Sequence, residues 1–259
     1  MIFGLRIMVE KTYDDPFVKL RNLCFSPLHV AADNGELNVY QYFLGKIRYL
    51  NPGNDIGITP LHLAAQNGHL NVCEYILDLI ENKFPVDQFG VSPLHAAALK
   101  GHLDVCKYIM ENSDEKFPTD NHGKSPLHAA VPMGHLDVYK YLMTTMEDKN
   151  PEDNSNLTPL HIAASLGYLE MCKHIMENVD GKSPRNNSGK TPLHFACLYG
   201  QFNVCKYFLE NVQEINPICN NGKTPLDIAH EGKDFKIFEL ISQHIEKAVL
   251  KNRTSDLLL

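Results

Sequence analysis

Thirteen histidines and seven cysteines are the side chains of this sequence best suited to chemistry. An imidazole can carry a proton or ligate a metal, and a thiolate is a nucleophile and a zinc ligand. Six of the histidines, His29, His62, His95, His128, His161 and His194, stand 33 residues apart. Four of the cysteines, Cys73, Cys106, Cys172 and Cys205, share a second column of the same period. A side chain that returns in unit after unit of a repeat belongs to the architecture of the unit, because catalytic constellations are single. The histidine column is therefore expected to tie the cap of one unit to the loop beside it. Tyr40, Tyr139 and Phe238 fill the cysteine column elsewhere, so that column is expected to be buried, with free thiols. His69, His102 and His135 form a third, equally structural column.

The alternatives are weak. There is no Cys-x-x-Cys pair, and the spacing of His62 and His69 fits no usual zinc pattern. Cys197 lies near His194 in sequence but occupies a buried alanine position, where a thiol is inert. No nucleophile elbow, phosphate-cradling glycine loop or kinase signature occurs. The expectation is a non-enzyme with no catalytic, cofactor-binding or metal-binding residue and no cofactor.

The elements that position these columns come from one motif. Pro-Leu-His-x-Ala-Ala, or a near copy, follows Ser26, Thr59, Ser92, Ser125, Thr158, Thr191 and Thr224 without insertion. In the unit from Asp87 to Thr119, Asp87–Gly90 reads as a tight turn. Gly90 aligns with Gly57, Gly123, Gly189 and Gly222, and with Asn156. Gly and Asn tolerate positive φ, so this column is expected to be left-handed. Ser92 then caps a first helix with Pro93 at its first position. Ala97 recurs in every unit, which lets helices approach closely, and Gly101 ends the helix. A second helix starts near Leu103 and carries Leu103, Val105, Cys106, Ile109 and Met110 on one face. Neither helix is long enough to be stable alone, so each unit depends on its neighbours.

This pattern resembles the ankyrin repeat, most clearly at Thr59–Leu70, Ser92–Leu103 and Ser125–Leu136, and the resemblance covers roughly residues 21–247. It implies an all-α repeat solenoid of stacked helix-turn-helix units with projecting β-hairpin loops. It also implies protein binding through the hairpin tips and the concave face of the first helices. Seven repeats over 21–247 would follow an N-terminal segment, 1–20, which is either a degenerate helical cap or the place where a longer protein was cut. A short frayed tail, 248–259, would close the chain, with Leu257–Leu259 free to dock. Several positions depart from the pattern. Second helices are expected to run about a turn longer, burying Met146, Val179 or Val212. Pro132 should distort the end of its first helix. Cys24 takes the glycine column at the front. Asp227, His230 and Lys233 replace His, a small residue and Gly in the last unit, which marks that unit as the C-terminal cap.

A net charge of −7 without basic clusters argues against nucleic acid and anionic membranes. Residues 2–9 are apolar but far too short to span a bilayer. The acceptor-like triplets at Asn156, Asn186 and Asn252 are read as chance matches in a cytoplasmic chain, with the nucleus as the alternative compartment, and the chain is expected to be a monomer.

What remains for function is the set of variable, outward positions. Ile56, Ile58, Phe89 and Val91 form an apolar cluster on adjacent tips. Leu99, Met133, Leu166, Leu198 and Tyr199 form a stripe on the first helices. Exposed apolar groups of this kind mark partner sites, with aromatics as anchors. Lys124, Lys190 and Lys223 on the later tips suit a polar or acidic segment. The expected function is a non-catalytic scaffold or adaptor for a protein or peptide partner. The alternative is the regulatory or targeting part of a larger enzyme, channel or ubiquitin-ligase adaptor.

Overall fold

Wherever Ser or Thr precedes Pro-Leu, a helix begins. In the computed structural model, which describes residues 25–46, 49–112 and 118–256, these hydroxyl residues are extended and proline occupies the first helical turn. The first helices are α1 (Pro27–Asp33), α3 (Pro60–Asn67), α5 (Pro93–Lys100), α7 (Pro126–Ala130), α9 (Pro159–Leu166), α11 (Pro192–Leu198) and α13 (Pro225–Glu231). Each is followed by a second helix: α2 (Leu37–Leu44), α4 (Leu70–Leu79), α6 (Leu103–Glu111), α8 (Leu136–Thr145), α10 (Leu169–Asn178), α12 (Phe202–Asn211) and α14 (Phe235–Asp256). The segment 1–20, Cys24 and Leu257–Leu259 lie outside the described residues.

The chain divides into two compact units, Met1–Thr145 with α1–α8 and Met146–Leu259 with α9–α14. Within each unit the first helices pack on one another more closely than the second helices do. The cause is side-chain size. Ala31, Ala32, Ala64, Ala65, Ala97 and Ala98 in the first unit, and Ala163, Ala164 and Ala196 in the second, are almost wholly inaccessible. The second helices instead bury Val72, Cys73, Ile76 and Leu77, or their equivalents, which hold the helices farther apart.

Glycine ends the first helices as expected. Gly68, Gly101 and Gly167 take φ of 75°, 81° and 77° at the cap. A side chain at Gly68 would be doubly excluded, since its Cβ would lie 2.4 Å from His102 Nδ1. Pro132 has the predicted effect: α7 stops at Ala130, whereas α5 runs to Lys100. Proline has no N–H to continue the ladder.

Three expectations need correction. The loops between units contain no β-strand among the described residues. Each is a turn closed by a bond such as Asp87 N–H to Val91 O (3.0 Å), with one backbone bond to the next turn, which is too little for a strand ladder. Second helices do not gain the expected extra turn. Val179 and Val212 are half-buried but extended, with φ of −129° and −107°, beyond the helix ends. Asparagine sets those ends: Asn112, Asn178 and Asn211 each donate a side-chain amide to the carbonyl four residues back, at 2.8–2.9 Å. Finally, residues 248–256, expected as a frayed tail, are the helical end of α14, which continues to Asp256.

Candidate partner-binding surface

The turns that project between repeats are built from the inside out. At five of the six bases an Asp or Asn side chain accepts two backbone N–H groups, Cys219 taking the sixth place. Asp87 Oδ1 takes those of Phe89 (2.8 Å) and Val91 (2.9 Å). Asp120 and Asp153 do the same for residues two and four positions on, and so do Asn54 and Asn186. This is the Asx-turn use of a short polar side chain. Gly57, Gly90, Gly123, Gly189 and Gly222 have φ of 71–81° and Asn156 has 54°, so the glycine column is left-handed as read from the sequence.

Neighbouring turns are bonded to each other. Gln88 N–H donates to Ile56 O (2.9 Å) and Asn121 N–H to Phe89 O (2.8 Å). In the second unit Asn187 N–H donates to Ser155 O and Asn220 N–H to Ser188 O, both at 3.0 Å. The amide of Asn121 reaches Gln88 O (2.9 Å), and that of Asn220 reaches Asn187 O (3.0 Å). Arg185 adds a brace, donating to Ile218 O and pairing with Glu214 at 2.9 Å.

The histidine column locks these turns to the helices. His62 Nδ1 accepts the N–H of Thr59 (3.1 Å), and Nε2 lies 3.0 Å from the carbonyl of Val91 in the next repeat. A carbonyl only accepts, so Nε2 must carry the proton and the ring must be neutral. His29, His95, His161 and His194 repeat the arrangement toward Ile58, Lys124, Lys190 and Lys223 at 2.8–3.3 Å. Burial holds His62, His161 and His194 down at about 4, and lowers His29 and His95, while each bond to a carbonyl pulls the other way. His69 and His102 face backward instead, to Asp33 O (2.9 Å) and Gln66 O (3.0 Å). With its ring nitrogens so engaged, the His62 column has no lone pair available for a substrate.

The cysteines are equally closed to solvent. Cys73, Cys106, Cys172 and Cys205 are buried free thiols. Burial pushes Cys106 and Cys172 up to about 12. Cys197 faces Cys205, with sulfurs 3.7 Å apart, while His194 is held by Thr191 and Lys223. No described group of three or more His, Cys, Asp or Glu side chains is placed to hold a metal. In the second unit an open cleft of about 480 Å³ is lined by Glu147, Asp148, Glu152 and Asp180, among others. No described helix is long and apolar enough to cross a membrane.

The candidate contact residues are displayed on this frame. In the first unit Phe89 is 53% exposed and Met133 43%, while Ile56, Ile58, Val91 and Leu99 are half-buried. In the second unit Leu166 is 38% exposed and Leu198 43%, with Tyr199 half-buried beside them. The tip cluster is thus one protruding ring, Phe89, among three partly covered aliphatics. The first-helix stripe falls into two parts, Leu99 and Met133 in one unit and Leu166, Leu198 and Tyr199 in the other.

One column escaped the sequence reading. Tyr42, Tyr75, Tyr108, Tyr141 and Tyr207 recur at the repeat period on the second helices, Tyr42 exposed and the other four half-buried. Tyr108 donates to Asp78 Oδ1 of the preceding repeat at 3.0 Å, so part of this column bridges repeats.

The family model for ankyrin repeats (3 copies) matches residues 8–85, 78–153, 115–185, 145–218 and 160–252, and the chain belongs to the ankyrin repeat family. Ankyrin repeats are in general protein–protein interaction modules and are not themselves catalytic. The crystal structure of the human ASB11 ankyrin repeat domain is similar in fold, with a TM-score of 0.75 at 23% identity over 85% of this chain and 98% of that one. No curated protein matches the chain.

Proposed function

We propose that the chain is a non-catalytic scaffold or adaptor that captures a protein partner through its turn tips and the inner ends of its first helices. The observation that carries this reading is a contrast within each repeat. The recurring positions are buried and bonded, whereas the varying positions Phe89, Met133, Leu166 and Leu198 expose large apolar side chains. Exposed apolar groups on a rigid, already bonded surface lose little entropy on binding. Phe89 and Tyr199 have the size and stiffness of anchor residues.

The rim chemistry supports the kind of partner. In the second unit Leu166, Leu198 and Tyr199 share the unit with the tip lysines Lys190 and Lys223, of which Lys223 is paired with Glu231 at 2.5 Å. An apolar segment flanked by acidic residues suits that combination. We read the chain as a monomer that does not bind nucleic acid, since its charge is −7 and its basic residues are scattered. The similar human structure is itself titled a domain. That wording favours, as a second reading, an array serving as the recognition part of a larger protein.

The test is quantitative affinity capture with the intact chain and with Phe89→Ala/Tyr199→Ala. The double variant should keep its helical content and melting temperature and lose specific partners. An unchanged set of captured proteins would remove these residues from the binding surface.

A further inference from the structure

In six of the seven repeats the position eight residues before the Cys73 column lacks a thiol. Ala65 precedes Cys73, Ala98 precedes Cys106 and Ala164 precedes Cys172, but Cys197 precedes Cys205. In the sixth repeat this places a sulfur on α11 and a sulfur on α12 at 3.7 Å from each other. A disulfide requires about 2 Å between sulfurs, so the bond would form by further approach of two sulfurs already in contact. Cys197 is 4% exposed and Cys205 is fully covered, so a small reagent meets Cys197 first.

We propose that Cys197 and Cys205 form a peroxide-driven oxidation site that closes a disulfide between the two helices of the sixth repeat. In the first step the Cys197 sulfur takes one oxygen from hydrogen peroxide, giving a sulfenic acid and one water. In the second step the Cys205 sulfur attacks the Cys197 sulfur. The sulfenic hydroxyl leaves as a second water, carrying the proton from Cys205. Two thiols are oxidised and one peroxide is reduced. The contact with Cys205, and burial, hold the Cys197 thiol well above the usual range, so the first step is slow. The second is fast because the resolving sulfur is already in contact. The bond would fix the end of α11, which carries Leu198 and is followed by Tyr199. The site itself does not depend on what those residues bind.

The experiment treats the folded full chain with excess hydrogen peroxide, then unfolds it, alkylates free thiols and digests with trypsin. Both cysteines fall on the peptide between Lys190 and Lys206. That peptide should appear unalkylated and lighter by two hydrogens, while Cys73, Cys106 and Cys172 are alkylated as thiols. In Cys205→Ala, a sulfenic acid should persist at Cys197 and be trapped by dimedone, whereas the intact chain should yield almost none. Cys197→Ala restores the Ala/Cys pairing of other repeats and should fold and give no cross-link. Alkylation of both thiols in the intact chain, or equal dimedone trapping with and without Cys205, would overturn the proposal.

Discussion

His62 Nε2 sits 3.0 Å from the carbonyl of Val91, a contact that crosses from one repeat to the tip of the next. The same ring accepts the Thr59 N–H through Nδ1 at 3.1 Å. One neutral imidazole therefore holds a helix start and a turn end together. His62→Ala leaves the buried Thr59 N–H without a partner, worth about 1–3 kcal/mol, and takes from Val91 O the second of its two donors, the other being Asp87 N–H. We expect a loss of about 3 kcal/mol in a denaturant titration.

Asp227 supplies the internal comparison. Its Oδ2 accepts Thr224 N–H at 2.8 Å and Thr224 Oγ1–H at 2.7 Å, as a cap, with no bond to a following turn among the described residues. Asp227→Ala should cost only about 1 kcal/mol, the worth of a cap. Equal losses for Asp227→Ala and His62→Ala would show that the inter-repeat half of the contact is worth nothing.

Acid should undo the column. His62 and His161 titrate at about 4 in the fold, against 6.5 for a free histidine, with burial the main cause. Between those values the unfolded chain binds more protons, so stability is complete above the unfolded value and falls as pH drops toward the folded one. For His62 alone the loss by about pH 5 is about 2 kcal/mol. Denaturant midpoints measured from neutral pH downward should fall steeply in this window, and His62→Ala should flatten the fall. A midpoint independent of pH there would contradict the neutral, Nε2-protonated assignment.

Two glycines with the same backbone should differ in cost. Gly68 and Gly222 have φ of 75° and 74°, but a Cβ at Gly68 meets the His102 ring whereas at Gly222 it meets nothing within 4 Å. Gly222→Ala should cost about 1 kcal/mol for the left-handed backbone. Gly68→Ala should cost clearly more and should relax toward the Gly222 value when combined with His102→Ala. Thermal melts of the three variants check this.

The repeats made much of the fold legible, because seven aligned copies expose what each position tolerates. In the six repeats after the first, the Gly90 column holds only Gly or Asn, which announces its positive φ. The His62 column sits three residues after a hydroxyl cap, which announces the capping contact. What escaped notice depends on side-chain geometry that residue type alone leaves open. Asp87 reads only as the start of a tight turn, and the coordinates show that it and Asn54 each accept two N–H groups. The residue type of Asn178 does not announce that its amide caps the His174 carbonyl, with Val179 left outside the helix. The candidate contact residues are readable as variable outward positions, but their degree of cover is not: Phe89 protrudes while Ile58 and Val91 are half-buried.

The separation of buried, bonded columns from exposed, variable ones is most directly tested by photo-crosslinking. A photoreactive residue is placed in turn at Phe89, at Leu198 and at Glu210, which is exposed on α12. Each folded chain is irradiated with the proteins that the intact chain captures. Adducts to a common partner at Phe89 or Leu198, and none at Glu210, are the expected result. Adducts at Glu210 with none at Phe89 or Leu198 would contradict the assignment and move binding to the second helices.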